Sequence, residues 1–378
     1  MADEGLLRCF SCIFLSLSSS LSVLHSTGQY SINTFAGNGG YGFSGDGGQA
    51  TSATISAPRG LVNFVSAGLV YFADPYNGCV RVIDTSTGVI NTAAGICMSY
   101  GYSGDSGPAT QATLNGPTDV EIDVGSSRLY IADSDNSVIR MLDKNTGIIT
   151  TVAGTGTAGY GGDGGPGTSA TLRTPYGLAF DTSSRILYIS DNGNCAIRSL
   201  AVDSGLISTL VSLGYCGGSG YYGSTSSVYG GIAANTGTVY FADPNAVLLK
   251  AVTVATLNVV TVAGNGIYGN AGDGGVATEA SFGTLSSIAV NTTTGDIYIA
   301  DSYYNVIRVV NISTGIINTV AGTGSSGYSG DGGLATSANL YSPTGIWVHP
   351  TTGTMYISDT YNQRIRVLSS DTSNLGET

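Results

Sequence analysis

Six times along this chain a strand-like run ends in aspartate and is followed by asparagine and then an apolar–cation pair. The phrase is roughly V-Y-x-A-D, N, I-R, with its aspartate at Asp74, Asp133, Asp191, Asp243, Asp301 and Asp359. Successive copies stand 59, 58, 52, 58 and 58 residues apart. Independently packed elements have no reason to keep such spacing. Each unit is therefore one supersecondary module that buries its apolar faces only against its neighbours, and the fold is an array of them.

The unit that starts at Val259 reads VVTVAG, a Gly-rich stretch, LSSIAVN, GDIYIAD, NVIRVVNI and a turn at Ser313-Thr314-Gly315. These are four β-rich runs between turn residues, without a helical period. We label them A (SSIAVN), B (DIYIAD), C (VIRVVN) and D (GIINTVAG). Four-stranded antiparallel units repeated around a ring make a β-propeller, in which neighbouring sheets pack face to face. Burial on both faces explains unbroken runs such as IYIA and IRVV. The chain opens on a D run, INTFAG (32–37), and finishes on a C run, RIRVL (364–368). We expect an all-β, six-bladed β-propeller over residues 29–370, four antiparallel strands per blade, with the N-terminal strand closing the last blade and leaving no open edge.

The phrases P-x-G-I-x-V, Y-I-x-D-x-x-N-x-x-I-R-V and G-x-I-x-T-V-A-G resemble NHL repeats. The copies that carry a G-D-G-G-x-A-T insert resemble the NHL propellers of teneurins and of many secreted or surface proteins. The likeness spans residues 30–370. Blade four departs from it: it lacks the G-D-G-G insert, its spacing is short, and Lys250 stands where the other blades have arginine.

Composition narrows the function. The net charge is −12, and five of the arginines, Arg81, Arg140, Arg198, Arg308 and Arg366, sit seven positions after a repeat aspartate. Too few cations remain for a phosphate-tracking patch, which argues against nucleic acid. Residues 6–24 are apolar with interspersed serines and read as part of a signal peptide over 1–28, leaving a short tail at 371–378 and no membrane segment in the mature chain. Removal of that segment takes Cys9 and Cys12 with it. The remaining Cys79, Cys97, Cys195 and Cys216 suit an oxidising compartment, and sequons at Asn291 and Asn311 agree with a secreted glycoprotein.

Strand alternation puts the D-to-A and B-to-C connections on one face, which also carries the long inserts at 40–48, 101–107, 159–165, 266–275 and 327–333. Cys79 enters strand C of blade one and Cys97 follows its strand D; Cys195 and Cys216 repeat the arrangement in blade three. Adjacent antiparallel strands then predict Cys79–Cys97 and Cys195–Cys216 disulfides, zinc being disfavoured because the spacing of these four lacks a C-x-x-C knuckle. Each insert has one aspartate, Asp46, Asp105, Asp163, Asp273 or Asp331. Calcium ligation is one reading of these; fixing a Gly-rich turn through nearby backbone N–H groups is the stronger. Phe43, Tyr102, Tyr160 and Tyr328 stand three residues earlier and either bind a partner or cover the loops. Tyr221 and Tyr222 lie in the irregular part of blade four and mark a possible asymmetric patch. The six Asp–cation pairs are expected to be architecture, because catalysis needs one constellation at one place.

Two functions remain. The leading one is a non-catalytic extracellular or cell-surface module that binds protein or glycan on the long-loop face; a disc with flat faces also suits self-assembly. No cofactor is expected for it, and His349, without a histidine partner, cannot build a zinc site. The alternative is a calcium-dependent hydrolase resembling lactonase and arylesterase propellers, with Asp119 and Glu121 of blade two as candidates and Asn235 or Asn291 as helpers.

Overall fold

The structure, a computed structural model, describes residues 29–214, 230–243 and 245–370. The predicted signal segment 1–28, the tail 371–378, and Cys216, Tyr221 and Tyr222 lie outside the described residues. Six antiparallel sheets follow one another along the chain, each with four strands in the order expected for propeller blades. In blade two, strands A to D are Pro117–Asp123, Arg128–Asp133, Val138–Asp143 and Ile148–Ala153. Blade six takes its outer strand from the other end of the chain. Ser31–Ala36 pairs with Arg364–Ser369, Ser31 opposite Ser369 and Thr34 opposite Arg366.

The apolar core is divided among the blade interfaces. Tyr130, Ala132 and Ile139 of blade two meet Leu178, Leu187 and Ile189 of blade three. Phe72, Val70 and Ile83 of blade one likewise meet Ile365 and Tyr356 of blade six. Because each sheet is clothed on both sides, its B and C strands are apolar without alternation, and no single module could hide them alone.

The T-V-A-G ending of strand D has a steric explanation. Its glycine adopts positive φ in the copies Gly37, Gly95, Gly154, Gly264 and Gly322. A Cβ at Gly154 or Gly322 would overlap the carbonyl oxygen of Ser137 or Asn305, the residue just before strand C. Only glycine lets strand D leave the sheet this close to its neighbour. One residue of strand D bulges beside the repeat cation in every blade, which brings threonine opposite it: Thr92 to Arg81, Thr151 to Arg140, Thr209 to Arg198.

The inserts fold back over the outer edge of their own blades. Gly47, Gly164, Gly274 and Gly332 donate their N–H to Ile90, Ile207, Ile317 and Ile32 of the D strands, at 2.8–2.9 Å. In blade two the insert adds a short fifth strand, Gly107–Pro108. This covers backbone that would otherwise be an unpaired sheet edge. Among the described residues no helix is long and apolar enough to cross a membrane.

Candidate functional site

In a blade with an insert, the aspartate ending strand B is fully buried and receives two donors. Asp133 Oδ1 accepts the N–H of Asn115 at 2.7 Å, and Oδ2 accepts Asn136 Nδ2 at 2.8 Å. The asparagine also donates to the insert carbonyl of Gly101, which explains its place three residues after the aspartate. The arginine seven residues on is buried to 0% exposure between two carboxylates: Arg140 Nη1 lies 3.5 Å from Asp133 and Nη2 lies 2.8 Å from Asp105. Its guanidinium carbon sits 5.2 Å from the centre of the Tyr102 ring, whose hydroxyl bonds Thr151 at 2.8 Å. Thus the insert aromatic, insert aspartate, strand-B aspartate and strand-D threonine form a clamp around one guanidinium.

The insert aspartates are therefore fixed mainly by a cation 35 residues away, rather than by their own turns. Asp46, Asp163, Asp273 and Asp331 meet Arg81, Arg198, Arg308 and Arg366 at 2.5–2.6 Å. Phe43, Tyr160 and Tyr328 cover the arginines of their blades at 4.7, 5.3 and 5.0 Å, so one face of each ring is already used. Burial raises the carboxyl pKa of Asp191 and Asp359 against the pull of their donors. Their outer counterparts go the other way: partial burial pushes Asp163 and Asp331 up, but bonds from Thr209 and Arg198, and from Thr34, Tyr328 and Arg366, carry them below the ordinary value. Each guanidinium there faces one carboxyl that resists charge and one that accepts it readily.

Two blades vary the clamp. In blade five the expected Asp301–Arg308 pair does not come within ion-pair distance. Tyr304 occupies the asparagine position, so Asp301 turns to the N–H groups of Gly283 and Thr284 at 2.8 and 3.0 Å, and Arg308 turns to Asp273, the carbonyls of Ser281 and Ala271, and the Phe282 ring. In blade four Lys250 meets Asp243 at 2.6 Å with 24% of its side chain exposed.

The inner strands line a central channel. Their register sets Gly60, Asp119, Gly177, Gly231, Ser287 and Gly345 at one level, and Val62, Glu121, Ala179, Ala233, Ala289 and Trp347 at the next. Asp119 and Glu121 are the carboxylates at these levels, beside a cavity of about 190 Å³. Asp119 accepts the N–H groups of Val120 and Leu178 at 2.9 and 2.8 Å; Glu121 accepts that of Ile122 at 2.7 Å. A Cβ on Gly60 would overlap Asp119 Oδ1, so blade one yields the room that this carboxylate fills. Both acids are only half-buried by surface area, yet the surrounding strands withhold enough solvent to lift Asp119 to about 7 and Glu121 to about 8.

These groups do not make a calcium site. Calcium takes six to eight oxygens, whereas these two levels offer two carboxylates from one strand and the Ser287 hydroxyl, among glycine, alanine, valine and tryptophan. The proposed helpers sit elsewhere: Asn235 Oδ1 accepts the Thr236 hydroxyl, and Asn291 Oδ1 closes a turn onto the N–H groups of Thr293 and Thr294. No cluster of three or more His, Cys, Asp or Glu able to hold a metal occurs among the described residues.

No family model matches the chain. The human NHL repeat-containing protein 2 is 28% identical over 295 residues, covering 70% of this chain and 40% of that protein. Human teneurin-4 is 36% identical over 105 residues, covering 27% of this chain and 4% of its own length. A solved Bacteroides thetaiotaomicron protein of unknown function superposes with a TM-score of 0.67 at 17% identity, covering 90% of this chain and 76% of that one. The relatives match through their repeats, and those repeats here build six closed blades. The chain is a six-bladed β-propeller whose repeats are similar to NHL repeats. It spans less than half the length of NHL repeat-containing protein 2 and of teneurin-4.

Elsewhere on this propeller, Cys79 and Cys97 form the expected disulfide, with Cα atoms 5.1 Å apart. Cys195 is also disulfide-bonded, while its expected partner Cys216 lies outside the described residues. Asn291 is buried to 2% exposure, so glycosylation there requires its turn to open; Asn311 is half-buried and holds Ser313 and Thr314. His349 Nδ1 accepts the N–H groups of Thr351 and Thr352, a turn role.

Sequence reasoning missed Arg59. Its Nη1 donates to the Tyr176 hydroxyl at 3.1 Å, and its Nε is buried without a partner. The available signal was positional: blade one reads P-R-G where other blades read P-T-D, P-Y-G and P-T-G.

Proposed function

We propose that this NHL propeller is an exported, non-catalytic binding module whose long-loop face takes a protein or glycan partner. The observation that carries the reading is the distribution of exposed rings. Every exposed aromatic among the described residues lies in a D-to-A or B-to-C connection. Tyr41, Tyr268 and Tyr303 expose 69%, 57% and 66% of their surface, whereas the opposite face exposes only scattered aliphatics such as Val65, Val124 and Ile312. Rings held on a rigid scaffold offer contact area at low entropic cost. The Cys79–Cys97 bond favours an oxidising compartment. Glycan-array and cell-surface binding by the wild type and by a Tyr41→Ser, Tyr268→Ser, Tyr303→Ser variant tests this. Loss of binding at unchanged melting temperature is expected; undiminished binding by the variant sinks the reading.

A second reading has one observation in its favour, the two channel carboxyls poised near neutral pH. Either would serve as a metal-free general base or acid on a lactone or ester. Hydrolysis in a substrate screen, abolished by Asp119→Ala, would replace the first reading with this one.

A further inference from the structure

Blade one breaks the repeat at the second place of its inner strand. Thr118, Tyr176, Ser286 and Thr344 occupy this level in blades two, three, five and six, and Arg59 occupies it here. Beside Arg59, on the long-loop face between blades one and two, opens a cavity of about 470 Å³, within the range of small-ligand pockets. Its walls include Tyr76, Tyr100, Asn115, Thr118 and Asp135. Apart from the Tyr176 hydroxyl, no described group accepts from Arg59, and it belongs to no ion pair among the described residues. Asp135 anchors its backbone N–H on Asn115 O at 3.1 Å, but no described group donates to its carboxylate. Burial pushes that carboxyl up, and Arg59 offsets the shift only in part. In the clamps each arginine meets a carboxylate at 2.5–2.8 Å; here a half-buried arginine and a solvent-exposed aspartate line one cavity without pairing with each other.

The wall is preformed. The Cys79–Cys97 disulfide ties the loop bearing Tyr100 to strand C; Met98 N–H bonds Asn77 O at 2.6 Å, and the Tyr100 hydroxyl bonds Tyr76 O at 2.5 Å. Gly78, at φ +64°, lets the backbone come against the Tyr100 ring, where a Cβ would sit at 3.1 Å. A simple anion would suit Arg59 but face Asp135, and a simple cation would meet the reverse. One molecule carrying both charges satisfies both groups, with the phenol rings flanking its ammonium and its body.

We infer that this cavity binds a small zwitterion, an α-amino acid with an apolar or aromatic side chain, its carboxylate on Arg59 and its ammonium on Asp135 beside Tyr76 and Tyr100. The site shares the long-loop face but is not lined by Tyr41, Tyr268 or Tyr303, the rings tested for the partner, so either assignment can fail alone. Isothermal titration of the full chain with L-phenylalanine, L-leucine, L-phenylalaninamide and N-acetyl-L-phenylalanine tests it. The two free amino acids should bind at least about tenfold more tightly than the two blocked compounds, each of which lacks one charge-assisted contact. Arg59→Gln should remove the discrimination against the amide, and Asp135→Asn that against the N-acetyl compound, with melting temperatures recorded to confirm folding. Equal affinity for all four probes, absence of binding by both free amino acids at millimolar concentration, or unchanged discrimination in a folded Asp135→Asn protein overturns the inference.

Discussion

Blades two and four share a strand plan and differ in what holds the cation. In blade two Arg140 divides its two terminal nitrogens between Asp133 and Asp105 and is wholly buried. In blade four Lys250, among the described residues, pairs with Asp243 alone and remains 24% exposed, and the segment that would carry an insert, 213–231, contains no carboxylate. A guanidinium is a planar fork that can serve two acids at once; an ammonium is a point charge on a flexible stem. Where one of the two acids is absent, lysine does the remaining work. The outer strand tells the same story: Asn258–Ala263 exposes Val259 and Val260, whereas inserts bond to the D strands of their blades elsewhere.

The sharpest way to break this comparison is Arg140→Ala, which strands Asp133 in the interior without its cation. We expect a loss of about 3–5 kcal/mol in urea unfolding; a loss below about 1 kcal/mol would show that the clamp is not structural. Exchanging the cations comes next. Arg140→Lys should cost about 1–3 kcal/mol because Asp105 and Tyr102 lose their partner, while Lys250→Arg should stay within about 0.5 kcal/mol. Equal effects of the two exchanges would dissolve the distinction between the blades.

Blade two also contrasts paired acids at its rim with lightly bonded acids in the channel. Burial lifts Glu121 to about 8, so the folded state holds its proton where the unfolded chain releases it near the ordinary glutamate value. Stability contributed by this proton is present at low pH and fades as pH rises towards 8. Glu121→Gln should match the wild type near pH 4 and exceed it by about 1–2 kcal/mol above pH 8, after discounting for partial exposure. Denaturation at several pH values checks this, and a constant offset between the proteins would place the titration elsewhere. The smallest effect is at the ring over the cation: Tyr102→Leu should cost about 0.5–1 kcal/mol and raise salt sensitivity little, since the pair is largely shielded.

The propeller and its closure were legible because they are written in local periods: strands bounded by turns, a fixed repeat, and a D run at the start that lacks its own A, B and C. The Cys79–Cys97 bond followed from strand adjacency. The clamp was half legible. Asp133 and Arg140 lie seven residues apart on a hairpin, so their meeting can be read from register, but Asp105 reaches Arg140 across 35 residues through the path of a Gly-rich loop that no periodicity describes. Blade five shows how fine the control is: one tyrosine at position 304, in place of asparagine, redirects Asp301 to backbone donors. Arg59 was illegible for a different reason. Its surroundings come from blades one, two and three together, and a single chain segment carries no trace of them.

The pairing of Ser31–Ala36 with Arg364–Ser369 has a consequence for biogenesis. The partners lie 338 residues apart at Ser31 and Ser369, so the propeller strand made before all its others is among the last of them to find its mate. Throughout synthesis it must wait as a solitary ribbon of unmet amides, and loop closure over such a span is slow. In the finished ring no sector can peel away from either end of the propeller without first unzipping that one late seam.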